Sequence, residues 1–147
     1  MHKKILFFVA AAVIGISAGC FHAEKKQNVS EKTESLSIYG TWSIADLPSI
    51  SGKNIQPAPA AYITFQEGKI NGCSGDNRFF GNLTVKENRL QLTHMGMTRM
   101  MGPNAEYESC FMNALNEVSF FAVKGDKLYL LNRDNKIVME LAPSKTE

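Results

Sequence analysis

Asn82-Leu83-Thr84-Val85-Lys86-Glu87-Asn88-Arg89-Leu90-Gln91-Leu92-Thr93 reads as two short strands folded back on each other. Leu83 and Val85 fall on one side of the first run, and Leu90 and Leu92 on one side of the second, with polar residues between them. A side-chain period of two belongs to a strand with one buried and one wet face. Glu87-Asn88 supplies the turn.

The same pattern continues on both sides. Upstream, Tyr62-Ile63-Thr64-Phe65 and Lys69-Ile70-Asn71-Gly72 flank Gln66-Glu67-Gly68, which predicts a hairpin. Residues 38–44, with the only tryptophan, Trp42, predict a first strand, and residues 48–59 form a loop by their Pro, Gly, Ser and Asn content. Downstream, residues 120–123, 128–131 and 137–141 predict three more strands. They are separated by Lys124-Gly125-Asp126 and Asn132-Arg133-Asp134-Asn135, residues that tolerate the backbone angles of tight hairpins.

One segment has a different period. Tyr107, Cys110, Phe111, Ala114, Leu115 and Val118 recur three and four apart, so residues 104–118 predict a helix with one apolar stripe. Pro103 and Asn104 stand where a helix starts, and Glu106 and Glu108 in its first turn suit the helix dipole. The fold class is therefore α+β and mostly β, an antiparallel meander or barrel-like sheet with one packed helix. Residues 36–143 are enough for one core and carry no internal linker, and residues 144–147 are a polar tail.

The first 20 residues carry a different message. Lys3-Lys4, an apolar run over residues 5–16 and Ser17-Ala18-Gly19 before Cys20 are the parts of a bacterial export signal. Twelve residues make a helix of about 18 Å, too short for a hydrocarbon core of about 30 Å. Residues 1–19 are expected to be cleaved. Cys20 after Ala-Gly resembles a lipoprotein lipobox, in which that cysteine becomes the first mature residue and carries a diacylglycerol. Ser17 stands where that motif prefers leucine, so an ordinary cleavage with a free Cys20, or a buried N-terminal helix, is the alternative. Phe21 in place of Asp, by resemblance to enterobacterial lipoprotein sorting, implies the outer membrane, facing the periplasm. Residues 20–35 have almost no large apolar side chains and read as a tether.

Cleavage would remove Lys3 and Lys4 and take the formal net charge from +2 to zero. No net cationic surplus is then left to draw nucleic acid or anionic lipid. The expected partners are the membrane, through the lipid anchor, and an unidentified envelope protein, with the domain itself monomeric.

Two stretches carry the remaining information: residues 70–81, with Asn77-Arg78-Phe79-Phe80-Gly81, and Thr98-Arg99-Met100-Met101. With Gly40-Thr41-Trp42 and Ile63-Thr64-Phe65 they resemble the META/HslJ-like domain family of bacterial envelope proteins, over roughly residues 38–142. The resemblance implies a setting of stress response, antibiotic tolerance, virulence or motility, and no mechanism. The family commonly has cysteines at the positions held here by Asp76 and Gly102. This chain has Cys73 and Cys110 instead, and with Cys20 assigned to lipid they form an even pair in an exported protein. A disulfide closing a loop of 37 residues is the expectation, with two free thiols the alternative.

Asn77, Arg78 and Arg99 are the candidate binding surface, although Asn77 could equally cap a turn and Arg78 pair with a carboxylate. Gly72, Gly75 and Gly81 fit no phosphate-binding pattern and read as turn glycines. His94 with Met95, Met97, Met100 and Met101 would suit a cuprous ion. Strand alternation, however, places Met95 and Met97 on a side that His94 does not share. No metal site or cofactor is assigned. His94 is the only histidine beyond residue 35, and no nucleophile-base motif accompanies it. The expectation is a non-catalytic, stress-associated binding or supporting module. The alternatives are a β-barrel inhibitor-like module that binds an envelope enzyme such as a lysozyme, and cuprous-ion binding.

Overall fold

Alternating runs joined by tight turns produce eight antiparallel strands in this computed structural model, which describes residues 37–144. They are β1 (Gly40–Asp46), β2 (Tyr62–Gln66), β3 (Lys69–Cys73), β4 (Arg78–Lys86), β5 (Arg89–Met97), β6 (Phe120–Lys124), β7 (Lys127–Leu131) and β8 (Ile137–Pro143). Each strand pairs with the next and β8 pairs with β1, so the meander closes into a barrel. One helix, α1 (Ala105–Glu117), interrupts it between β5 and β6, and a single 3-10 turn, Pro48–Ile50, lies in the loop after β1. The expected α+β class with a barrel-like sheet and one packed helix is what forms. Signal, tether and Cys20 lie outside the described residues.

Register follows burial. Ile63 and Phe65 of β2, Ile70 of β3, Phe79 and Leu83 of β4, Leu128 and Leu130 of β7 and Met139 and Leu141 of β8 are all buried inside the barrel. The stripe read from the helix packs with them through Tyr107, Phe111, Ala114 and Leu115. The ring centroids of Phe79 and Phe111 are 5.5 Å apart, at the tilted geometry that aromatic pairs prefer.

β4 and β5 are longer than the alternation indicated: they continue to Arg78 at one end and Met97 at the other. A bulge hides the continuation. Leu83 pairs with Leu92 and Phe79 with Met97, but between Phe80 and Asn82 the register shifts. His94 takes φ 52°, a left-handed value that few side chains adopt, and absorbs the extra residue. The inward positions of β5 therefore change from Leu90 and Leu92 to Met95, and a period-two reading loses the strand there.

Gly72 and Gly81, expected in turns, are strand residues facing inward. A Cβ on Gly72 would lie 2.1 Å from the Tyr62 carbonyl oxygen and 2.7 Å from the Phe79 ring. One on Gly81 would lie 2.3 Å from the Met95 sulfur. Both are glycine because a neighbouring side chain fills the space above the backbone.

Candidate binding surface

The two short motifs meet at Asn77. The turn Ser74–Asn77 connects β3 to β4, and its backbone closes with Ser74 N–H donating to the Asn77 carbonyl at 2.8 Å. Asn77 is buried, and every hydrogen-bonding position of its amide is used. Its Oδ1 accepts from Thr98 Oγ1 at 2.9 Å and from the Met100 N–H at 2.6 Å. Its Nδ2 donates to the Met100 carbonyl at 3.0 Å and to Glu108 Oε2 at 2.7 Å. The Asn-Arg-Phe turn and the Thr-Arg-Met-Met segment are thus fastened together by one side chain.

Glu108 completes the node from α1. Its Oε1 accepts from Ser74 Oγ at 2.7 Å, the Asp76 N–H at 3.0 Å and the Asn77 N–H at 2.6 Å. Burial alone would push the carboxyl up, but the hydrogen bonds from Asn77, Ser74 and Asp76 together outweigh it and hold the group below its ordinary value. The residue is a buried carboxylate with four donors, not a surface partner of the helix dipole. A signal was present: Glu108 lies four residues after Asn104, three before Phe111 and seven before Leu115, inside the apolar stripe. A charged residue on a buried face needs inward partners.

Asp76 fastens the start of the helix. Its Oδ2 accepts from the Asn104 N–H at 2.8 Å and its Oδ1 from Asn104 Nδ2 at 2.7 Å. A Cβ built on Gly102 would fall 2.8 Å from the Cβ of Asp76 and 2.2 Å from its carboxyl group. The two positions where the family commonly has cysteines are therefore side by side, and here an aspartate occupies the space.

The expected bridge between Cys73 and Cys110 is absent: both are free, half-buried thiols. Cys73 is in register with Tyr62 and Arg78 on the outer face of the barrel, and its thiol donates to the Gly75 carbonyl at 3.3 Å. Cys110 follows Glu108 by two residues, about 200° around the helix. Glu108 faces the 74–77 turn, so Cys110 faces away from it, toward a shallow pocket with Lys53, Asn54 and Ile55. The two cysteines are not the family's pair relocated.

Of the three expected surface residues, Asn77 is buried and positions the others, whereas Arg78 and Arg99 are exposed. Arg78 extends from β4 and donates from Nη1 to the Tyr62 hydroxyl at 3.0 Å. Its backbone is tied to the second motif, the Arg78 N–H donating to Thr98 Oγ1 and the Thr98 N–H to the Arg78 carbonyl. Around these cations the surface is apolar. Phe80 is 60% exposed with its ring over Gly96, and Met97, Met100 and Met101 are 38%, 64% and 103% exposed. Among the described residues, four of the six exposed large hydrophobic residues fall in β4, β5 and the loop after β5.

His94 and the methionines divide between faces. His94 Nδ1 lies 3.2 Å from Asn82 Nδ2 on the outside, Met95 packs against the core, and the Met97 sulfur lies 3.7 Å from Ser74 Oγ. Among the described residues no three of His, Cys, Asp and Glu come together at a metal-binding distance. A groove of about 1160 Å³ lies between β5 and the end of α1, lined in part by Arg89, Leu90, Leu92, Phe120 and Arg133. Arg89 sits 5.4 Å above the Phe120 ring there.

An eight-stranded meander barrel with one inserted helix, fastened by a buried Asn-Glu node below an apolar and cationic corner, defines the class: a small, mostly β, closed-barrel domain. The META domain profile matches residues 34–145, and the chain belongs to that family. Solved structures agree on the fold. A DUF4847 family protein from Bacteroides vulgatus is similar over 78% of this chain and 99% of its own, at 19% identity and a TM-score of 0.54. A protein from Burkholderia xenovorans is similar over 73% of this chain and 79% of its own, at 24% identity and a TM-score of 0.51. No curated protein matches the sequence.

Proposed function

We propose that this META domain protein is a lipid-anchored component of the bacterial envelope that acts by binding, without catalysis, at the periplasmic face of the outer membrane. The export signal and Cys20 support the location. The single observation that carries the binding role is the exposed corner formed by Arg78, Phe80, Arg99, Met100 and Met101 on a rigid support. Exposing three large apolar side chains has no benefit to the fold. The polar node below them, with every donor and acceptor of Asn77 used, fixes the backbone that presents them.

The described residues close their own barrel and core, so the domain, taken as residues 34–147, can be tested without the tether. Immobilised on a resin and exposed to envelope extract, the domain is expected to retain envelope components. The variant Phe80→Ser with Met100→Ser and Met101→Ser is expected to lose them. Equal recovery by both would remove this corner from the function. For Cys20, the intact mass of the mature protein should include a diacylglycerol, and an unmodified mass would remove the anchor.

A further inference from the structure

We infer that the Arg78–Met101 corner docks on an anionic phospholipid surface. The inference rests on the binding reading of this corner and names its target. Three observations favour lipid over a shaped protein cleft.

The first is charge. Arg78 and Arg99 are exposed, and the two carboxylates of the adjoining segments are turned elsewhere: Asp76 holds Asn104 and Glu108 is buried in the 74–77 turn. The mature chain carries no net surplus, so the attraction is local. Arg78 gives one donor to the Tyr62 hydroxyl, and its remaining donors and the exposed Arg99 are open to an anion, for which phosphate suits the planar fork. The second is the chemistry of the tip. Met100 and Met101 are unbranched thioethers, and Met101 at 103% exposure touches nothing that would fix its rotamer. Such side chains offer no directional hydrogen bond to a specific partner but adapt readily to a fluid apolar phase. The third is the arrangement. The tip is the loop between β5 and α1, in which the exposed cation Arg99 stands between exposed Met97 and exposed Met100 and Met101, so charge and apolar groups share one free loop. Among the described residues no helix is long and apolar enough to cross a membrane, so contact through this loop is interfacial.

The test is flotation of residues 34–147 with vesicles of phosphatidylcholine alone and of phosphatidylcholine with phosphatidylglycerol. The wild-type domain is expected to float with the anionic vesicles and to be released by high salt. Arg99→Ala is expected to lower partitioning about fivefold, equivalent to about 1 kcal/mol per cation at an anionic surface. Met100→Ser with Met101→Ser is expected to lower it further at unchanged unfolding midpoint, since neither side chain is part of the core. A tryptophan placed by Met101→Trp should shift its emission to the blue with anionic vesicles only. No flotation, or flotation equal in wild type and variants, overturns the inference. If vesicles are ignored while capture from envelope extract still depends on this corner, the target is a protein, and the binding reading stands without the lipid.

Discussion

Glu108 holds a negative charge in the interior because four donors converge on it from a turn distant in sequence. Glu108→Gln would keep the shape and replace one acceptor by an NH2 group facing donors. The expected loss is about 1.5 to 3 kcal/mol, the range for hydrogen bonds to a charged group. The pH dependence has a defined sign. The folded value lies below the ordinary 4.5, so as pH falls the unfolded chain takes up the proton first. The stabilisation is complete above the ordinary value and is lost as pH falls through the lower folded value. Urea unfolding should therefore show a gap between wild type and Glu108→Gln that is widest near about pH 7 and narrows toward about pH 3. A gap independent of pH would mean that the carboxylate is not the stabilising species. Gly72→Ala tests packing at the same scale. Its new methyl would meet the Tyr62 carbonyl at 2.1 Å, and that atom belongs to a paired strand and cannot move aside. A loss of about 2 to 3 kcal/mol is expected, from overpacking and not from backbone angle.

Elements were legible where one physical signal decided them and illegible where two competed. The helix over residues 104–118 and the hairpin at Glu87-Asn88 were set by periodicity and turn chemistry, and they form within a residue of expectation. The end of β5 was not legible, because the bulge at His94 exchanges inward and outward positions inside one strand. The anchoring of the helix start was hidden for another reason. Asn104 occupies the expected N-cap, but its side chain makes no capping bond and is held by Asp76 from the β3–β4 turn. Residues 76 and 102, on two separate segments, lie close enough to be joined covalently. Disulfides need a Cβ separation of about 3.5 to 4.5 Å, and the 2.8 Å between the aspartate Cβ and one built on Gly102 requires a shift of about 1 Å in a loop. Asp76→Cys with Gly102→Cys is therefore expected to oxidise to a bridge that stabilises by about 3 kcal/mol, less about 1 kcal/mol for the lost hydrogen bonds between Asp76 and Asn104. Non-reducing peptide mapping should link these two positions and leave Cys73 and Cys110 as free thiols. Recovery of all four as thiols would show that the segments do not approach as described.

At the scale of the whole molecule the sequence carried the fold class and left closure undecided, since alternation fixes which side of a strand is buried and not which strands meet. Closure depends on one weak seam. β4 and β5 pair along nearly their whole length, whereas β5 meets β6 only at Arg89 and Phe120. Two backbone hydrogen bonds hold that junction, Leu90 N–H to the Ser119 carbonyl and Phe121 N–H to the Asn88 carbonyl, both at 2.9 Å. Beyond it, β5 borders the groove. The helix is inserted in the chain at this junction, so residues 98–119 must leave the sheet and return to it there. Local opening follows the places with few bonds and much solvent, and the barrel should open along this line before any other. Native-state hydrogen exchange measures it. The Leu90 and Phe121 amides should exchange with a lower opening free energy than amides paired in the β2–β3 and β7–β8 ladders. They should also respond more weakly to urea, because opening the seam exposes less surface than unfolding the barrel. If these two amides exchange only by global unfolding, the groove side of the barrel is as firmly closed as the rest, and the seam is not its point of opening.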